Sequence, residues 1–153
     1  MVEAIDLLPT FLDATGSSAS RHCLEGRSLM PALLGEKREW REDVFSEIDY
    51  AFYTARQALN LGPSDARGYM IRTDEWKYIY FKGFRPQLFD LTGDPDEFVD
   101  LGDSPKHDAV RAEMKDRLFD RLMERRNRVA MTDEKVLDTR DFETRSGIQI
   151  GKW

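Results

Sequence analysis

The densest pattern in the chain is a set of aromatic and β-branched residues between positions 68 and 91. Two such segments, 69–73 and 76–81, are separated by the polar pair Asp74-Glu75, which suits a tight turn. A third segment, 87–91, follows Pro86 and precedes a Gly-Asp-Pro turn. This pattern predicts a three-stranded antiparallel meander.

Side chains alternate along a strand, so both faces of this meander can be assigned. In the second segment Trp76 and Tyr80 share one face, while Ile79 and Phe81 share the other. Both faces are largely apolar, so we expect both to be covered.

A long helix after the meander is the natural cover. Ser104-Pro105 is a typical helix start, and we expect the helix to end near Arg128. Arginines near its end complement the helix dipole, which explains them better than anion binding does. The expected apolar stripe consists of Val110, Met114, Leu118, Phe119, Leu122 and Met123.

The first fifty residues add a helix and a strand. Residues 6–15 have apolar positions at helical spacing, with Asp6 as the expected cap, and Val2, Ile5 and Leu8 lack a local partner. Residues 36–43 are interpreted as a charged, solvated connection, and 44–48 as a fourth strand. The predicted fold is therefore α+β: a small four-stranded antiparallel sheet covered by a long C-terminal helix, with a short N-terminal helix.

Composition limits the classes of function. Of 153 residues, 41% are hydrophobic and 34% are charged, which is typical of a single soluble globular domain. A net charge of −6 gives no reason to expect nucleic acid as a partner, and no apolar run approaches the roughly 18 residues of a membrane span. The single Cys23 excludes an internal disulfide framework, and no signal peptide is evident. We expect a cytoplasmic protein.

Candidate chemistry is sparse. Residues 49–67 form an aromatic and basic insertion between strands, which makes Tyr50, Tyr53 and Arg56 candidates for the rim of a substrate site. The alternative is that these rings pack beneath a loop. The carboxylates between Asp90 and Asp100 lack an EF-hand pattern, and Asp94-Pro95-Asp96-Glu97 is interpreted as a turn and helix start. His22 and His107 are both expected at the surface, so no metal site is predicted.

The order of the sequence blocks carries more information than any single motif. The segments IDLLPTFLDATG (5–16), LEGRSLMPALLG (24–35), VFSE (44–47), IRT with WKYI, and QLFDL followed by DPDE resemble the C-terminal third of a sulfatase-family, alkaline-phosphatase-like hydrolase. The Pro-Gln-Leu-Phe-Asp-Leu stretch, the Arg56 region and the ending GIQIGKW are most similar to the phosphonate monoester hydrolase branch.

The resemblance implies a hydrolase of sulfate, phosphonate or phosphate esters that uses a formylglycine nucleophile and a divalent metal. The family forms its nucleophile in a Cys-x-Pro-x-Arg motif, whereas Cys23 and Arg27 here flank Glu25 in place of proline. We therefore expect no catalytic and no metal-binding residue in this chain, and no activity from the chain alone. Residues 1–153 would form a single C-terminal subdomain without the catalytic domain, and 131–153 an extended tail or arm.

Two kinds of partner follow from this interpretation. The chain would pack on an upstream sulfatase-like catalytic domain, with the insertion near the active site and residues 147–153 on another subunit of a homo-oligomer. Alternatively, it is a non-enzymatic module or remnant that associates with itself through the face that a missing domain would cover. A weaker alternative is a small-anion-binding protein that uses Arg56, Arg67 and Arg72.

Overall fold

An antiparallel sheet forms the centre of the structure, a computed structural model that describes residues 1–17, 23–125 and 131–138. Its four strands lie in the sheet in the order in which they follow one another along the chain. Tyr69 lies opposite Tyr80, and Tyr78 lies opposite Leu88. The strands are β1 (Val44–Asp49), β2 (Arg67–Arg72), β3 (Trp76–Phe81) and β4 (Gln87–Asp90).

Five α-helices accompany the sheet in the described part of the chain. They are α1 (Leu7–Ala14), α2 (Met30–Leu33), α3 (Thr54–Ala58), α4 (Asp108–Met123) and α5 (Asp133–Asp138). The predicted α+β class, the sheet, the long helix and the short N-terminal helix are confirmed. No helix among the described residues is long and apolar enough to cross a bilayer.

Helix α4 packs across one face of the sheet and encloses the core. A 3₁₀ turn, Pro105–His107, leads into it after Ser104, as the sequence predicts. Met114 and Leu118 of the helix are buried against the sheet. The sheet residues that meet them are Ile71, Tyr78 and Leu88.

The predicted apolar stripe on α4 was partly wrong. Phe119 and Met123 are 60% and 67% exposed. At about 100° per residue, they lie roughly 140° and 180° around the helix from Met114, beyond the arc that faces the sheet. The helix also ends at Met123, five residues before the expected end.

The opposite face of the sheet is only partly covered by the described chain, although the pattern predicted cover on both faces. Phe81 packs edge-on against the ring of Tyr50, with 5.9 Å between centroids. Ile48 of β1, which lies two strands away from Phe81 on the same face, is nevertheless 46% exposed. This face of the sheet therefore keeps apolar side chains that the described chain does not cover.

The predicted tail, 131–153, begins with a helix. Thr132 Oγ1 accepts a hydrogen bond from the N–H of Lys135, and Asp133 and Glu134 stand in the first turn of α5, where carboxylates favour the helix dipole. Residues 139–153 lie outside the described part of the chain. The expected arm at 147–153 therefore stays a prediction.

Candidate functional site

The three rim candidates lie in the segment between β1 and β2, which contains α3 and which we term the loop after β1, but they have different surroundings. Tyr50 is buried, with 8% of its surface exposed. Tyr53 is 59% exposed. Arg56 is half-buried and donates from Nε to the Ala51 carbonyl at 2.7 Å and from Nη1 to the Leu61 carbonyl at 2.9 Å.

These contacts assign different tasks to the three residues. Two charge-assisted hydrogen bonds hold Arg56 across its own loop, so the guanidinium fixes the loop conformation. Tyr50 anchors the loop to Phe81, and its ring belongs to the protein interior. Tyr53 is therefore the rim candidate whose side chain reaches solvent. Their predicted contact with substrate stays a prediction.

An apolar groove opens beside this loop, with a volume of about 420 Å³. Exposed or partly exposed hydrophobic side chains form most of its wall, and Arg85 at its border pairs with Asp100 at 2.8 Å. The groove is therefore suited to uncharged, apolar groups. It is lined by Ile48, Tyr50, Ala55, Leu59, Phe81, Phe84, Arg85 and Gln87.

A buried cluster of charges near the N-terminus is the main feature that the sequence patterns missed. Arg41 donates to Asp6 at 2.7 and 2.9 Å and to Glu3 at 2.6 Å. Arg121 of α4 donates to the same Glu3 at 3.0 Å. The side chains of Arg41, Glu3 and Asp6 are 6%, 7% and 0% exposed.

Arg41 lies in the segment 36–43 that was predicted to be solvated. Residues 36–39 and 42 are exposed as expected, but for the Arg41 side chain the prediction was wrong. The guanidinium is withdrawn from water because two carboxylates satisfy it. Asp6 was expected to cap α1, yet its carboxylate makes no capping bond to that helix. It accepts instead from the N–H groups of Glu3 and Arg27, each at 2.8 Å.

These hydrogen bonds decide the protonation of Asp6. Burial alone would raise the pKa of its carboxyl. The two backbone N–H donors, together with the hydrogen bond and charge of Arg41, outweigh burial and hold the pKa below its ordinary value. Asp6 is therefore an ionised, structural carboxylate.

A second cavity, of about 510 Å³, adjoins this cluster between the N-terminal turn, β1 and α4. Its two arginines are already paired, Arg121 with Glu3 at 3.0 Å and Arg125 with Glu47 at 2.7 Å. Both arginines therefore make ion pairs within the chain, and their expected effect on the helix dipole stays a prediction. Arg126 and Arg128 lie outside the described residues.

The carboxylates after β4 stabilise loops. Asp90 accepts from the N–H groups of Thr92 and Gly93, each at 3.0 Å. Asp94 accepts from Val99 N–H at 2.7 Å. Because Asp90 and Asp94 are bound to backbone donors, this part of the acidic cluster forms local turns.

Residues 94–97 were interpreted as a turn and helix start. The turn is present, with Glu97 N–H donating to the Asp94 carbonyl at 3.1 Å, but the expected helix start was wrong. The chain turns at Glu97, whose φ is +59°, and α4 starts only after the Pro105–His107 turn. The Glu97 carboxylate instead reaches Lys77 of β3 at 2.5 Å. An ion pair with the sheet therefore fixes this loop.

Asp100 binds two loops together. Its Oδ1 accepts from Leu88 N–H at 3.2 Å and from Gly102 N–H at 2.8 Å, and Arg85 pairs with Oδ2 at 2.8 Å. Burial raises the pKa of Asp100, but these donors outweigh it and hold the pKa below its ordinary value.

The remaining candidate side chains are dispersed. Within residues 1–17, 23–125 and 131–138, no three His, Cys, Asp or Glu side chains are placed to hold a metal ion. His107 lies beside Trp76, with 5.8 Å between ring centroids, and its Nδ1 is 2.9 Å from Ser104 Oγ. Cys23 is exposed.

Comparison with known families shows which family this chain is similar to. A family model described as "N-sulphoglucosamine sulphohydrolase, C-terminal" matches residues 1–124. The chain belongs to this family. The resemblance to sulfatase-type hydrolases is thereby confirmed, and it covers the N-terminal helix, the sheet and α4.

Curated relatives extend the comparison. The chain is 36% identical over 112 residues to the multifunctional alkaline phosphatase superfamily protein PehA of Trinickia caryophylli, which covers 71% of this chain and 22% of that protein. It is 33% identical over 105 residues to arylsulfatase K of Canis lupus familiaris, which covers 66% of this chain and 18% of that protein. The chain thus spans about a fifth of the length of these relatives.

Solved structures agree with these relatives. The phosphonate monoester hydrolase SpPMH of Silicibacter pomeroyi superposes with a TM-score of 0.72 at 30% identity, covering 88% of this chain and 28% of that chain. The phosphonate monoester hydrolase of Agrobacterium radiobacter gives 0.67 at 30% identity, covering 77% and 24%. Both comparisons place this chain in the sulfatase and phosphonate monoester hydrolase group.

Proposed function

We propose that this chain is the C-terminal domain of an ester hydrolase of the sulfatase or phosphonate monoester hydrolase type, and that it contributes packing surface and part of the pocket rim. The observation that carries the proposal is the match of residues 1–124 to a C-terminal family model. The relatives have about four-fifths of their length outside the matched segment, since the match covers 22% of PehA. That remaining length is where we place the catalytic domain.

The nucleophile and the metal site belong to that catalytic domain under this proposal. The described part of this chain has no cluster of ligands that fits a divalent metal. Its buried carboxylates already accept backbone N–H groups or pair with arginines, as Asp6 and Asp100 do. The described residues therefore support no step that runs through a metal.

In this proposal, the chain contributes Tyr53 and the neighbouring apolar groove to the rim of the substrate pocket. Arg56 and Tyr50 hold the loop, and Tyr53 projects from it into solvent. A preformed loop loses little conformational entropy when a ligand binds, which favours a role in positioning the organic part of an ester.

A second candidate function is a self-associating module without enzymatic activity. The observation that favours it is the number of exposed large hydrophobic side chains, among them Leu8 at 54% and Phe11 at 61%. Such residues gain free energy by burial against any apolar surface, including a second copy of the chain. A homo-oligomer of the isolated chain would support this candidate.

An activity assay of the purified chain tests the absence of catalytic machinery. Aryl sulfate, phosphate monoester and phosphonate monoester substrates would be supplied with manganese and calcium. We expect no turnover above the buffer rate. Turnover that co-purifies with the chain and is lost in Cys23→Ala would show that the chain carries its own nucleophile.

A further inference from the structure

The two edges of the sheet are closed to different extents. At the outer edge of β4, Leu88 donates its N–H to Asp100 Oδ1 at 3.2 Å and accepts from the N–H of Leu101 at 2.8 Å. At the outer edge of β1, Glu3 Oε1 accepts from the N–H of Phe45 at 2.6 Å. Loops therefore close the β4 edge, whereas a single carboxylate closes only the beginning of the β1 edge.

The rest of the β1 edge is open. Tyr50 N–H donates to the Ala66 carbonyl at 2.9 Å, so the even-numbered residues of β1 direct their backbone groups towards β2. The N–H and C=O groups of Glu47 and Asp49, which we term the outward groups, therefore point away from the sheet. In the described part of the chain, no turn, loop or side-chain hydrogen bond reaches them. An open edge of this kind is a template for another strand.

The two sides of this open edge differ in polarity. Because side chains alternate along β1, Ile48 lies on the side of the apolar groove, and Glu47 lies on the side of α4, where it pairs with Arg125 at 2.7 Å. The cavity of about 510 Å³ borders the edge on the α4 side and is lined in part by Phe45 and Glu47. A strand added here would meet apolar groups on one side and charged groups on the other.

One segment of the chain has the matching pattern. Residues 147–151 have the sequence Gly-Ile-Gln-Ile-Gly. In an extended conformation, Ile148 and Ile150 would share one side and Gln149 would take the other. The β-branched isoleucines favour a strand and suit the apolar side of the edge, while the glutamine amide suits the charged side. The alternation of this segment is therefore complementary to that of β1.

Charge and length favour the same segment. Arg145 and Lys152 flank it with no acidic residue between them, whereas β1 contains Glu47 and Asp49. The pair between Arg125 and Glu47 shows that the chain leaves α4 beside β1. About 20 residues precede the segment after this point, and each extended residue spans up to about 3.3 Å, which is enough to return to the edge of the same chain. Such a tether raises the effective concentration of the segment at the edge.

We propose that residues 147–151 add to the open edge of β1 of the same chain as a fifth strand. The two isoleucines would lie beside Ile48, and Gln149 would lie beside Glu47. The outward groups would then have backbone partners, and the edge would no longer be available to other chains. This inference is independent of the proposed function, because it uses only contacts within the chain. It places the expected arm, 147–153, on its own domain instead of on another subunit.

Amide hydrogen exchange of the full chain, measured for each residue by NMR, tests the fifth strand. The variant combines Ile148→Asp with Ile150→Asp, which would place two charges against the apolar side of the edge. The matched control combines Val136→Asp with Phe142→Asp, which adds the same charge outside the segment. We expect the outward N–H groups to exchange at least about tenfold faster in the variant than in the wild type or the control.

Two further measurements separate loss of the added strand from general unfolding. The N–H of Ile48, which faces β2, should stay protected in all these proteins because the four-stranded sheet is intact. Gln149→Pro adds no charge but disfavours a paired strand, and it should accelerate exchange of the outward N–H groups in the same way as the double variant.

The proposal would be overturned by any of three results. Outward N–H groups that exchange freely in the wild type would show that the edge stays open. Equal exchange in the wild type and both segment variants, or equal acceleration in the control, would show that residues 147–151 do not cover the edge. Protection that decreases on dilution, together with an oligomer in light scattering, would assign the edge to a second copy of the chain.

Discussion

Arg41 and Asp6 form a two-point salt bridge, with Nη2 2.7 Å from Oδ1 and Nη1 2.9 Å from Oδ2, although 35 positions separate them in the sequence. Glu3 completes the cluster by accepting from Arg41 and from the N–H of Phe45 at the start of β1, each at 2.6 Å. The first helix is thereby tied to the sheet through charged and polar groups.

Removing Arg41 should destabilise the chain strongly. Arg41→Ala leaves the buried Asp6 carboxylate without its cation and Glu3 with Arg121 alone. Breaking a buried charge pair in this way typically costs about 3–5 kcal/mol in the free energy of unfolding. Urea unfolding followed by circular dichroism measures this loss. The matched control is Arg38→Ala, because the Arg38–Glu36 pair is exposed, at 64% and 49%, and such pairs contribute about 1 kcal/mol or less. Equal losses in both variants would contradict a structural role for the cluster.

Stability should fall in acid because of Asp6 and Asp100. Both have a folded-state pKa below the ordinary value of 3.8, so the unfolded chain takes up their protons first as the pH falls. Their contribution is therefore present above that value and lost as the pH falls through the lower, folded-state values. Urea midpoints measured from about pH 6 down to about pH 2 should decrease in the wild type.

Replacing single carboxylates shows which of them causes the loss of stability in acid. Asp100→Asn should unfold with a shallower decrease between the same pH limits, because one titrating carboxyl is gone. Asp74→Asn, in the exposed hairpin turn, should keep the wild-type slope. If the slope is unchanged in Asp100→Asn, this carboxyl does not contribute to the acid dependence.

Two neighbouring residues of α4 should differ sharply in their effect on stability. Leu118 is 4% exposed and Phe119 is 60% exposed. Leu118→Ala leaves a cavity beneath the sheet and should cost about 2–5 kcal/mol in the free energy of unfolding, whereas Phe119→Ala should cost about 0.5 kcal/mol or less. Chemical denaturation of both variants provides the comparison. A larger loss for Phe119→Ala would mean that α4 packs through a different face.

Substitutions at two tyrosines of the loop after β1 should have different effects, one on stability and the other on substrate preference. Tyr50→Ala removes a buried ring and should cost about 3 kcal/mol in the free energy of unfolding, while Tyr53→Ala should leave unfolding nearly unchanged. If Tyr53 lines the rim, the matching substitution in a full-length relative should alter the ratio of kcat/KM values between two esters. An unchanged ratio would remove the loop from the substrate site.

The sheet and its helix were predictable from sequence because their signals are local. Alternation in residues 76–81, the turn at Asp74-Glu75 and the Ser104-Pro105 start each depend on neighbouring residues alone. The same local periodicity identified Leu7, Leu8, Phe11 and Leu12 as the apolar face of a helix. It could not show that this face points outwards, because the contacts that fix α1 come from Gly26, Leu29 and Arg41.

The charged cluster could not be predicted for the same reason. Arg41 stands in a run of charged residues that is typical of a solvated connection, and its partners are 35 and 38 positions away. Arg121 meets Glu3 across 118 positions. Only the folded chain brings these groups together. The three-residue spacing of Glu3 and Asp6 beside an apolar helix is the one local sign of it.

The most direct test of a supporting, non-catalytic role is the rate of metal-dependent ester hydrolysis by the upstream part of PehA, measured with and without this chain. We expect the upstream part alone to be weakly active or unstable, and the rate to rise until the chain is equimolar with it. The chain alone should add nothing to the buffer rate. A rate and thermal stability that stay unchanged at saturating concentrations of the chain would contradict a role as the C-terminal domain of such a hydrolase.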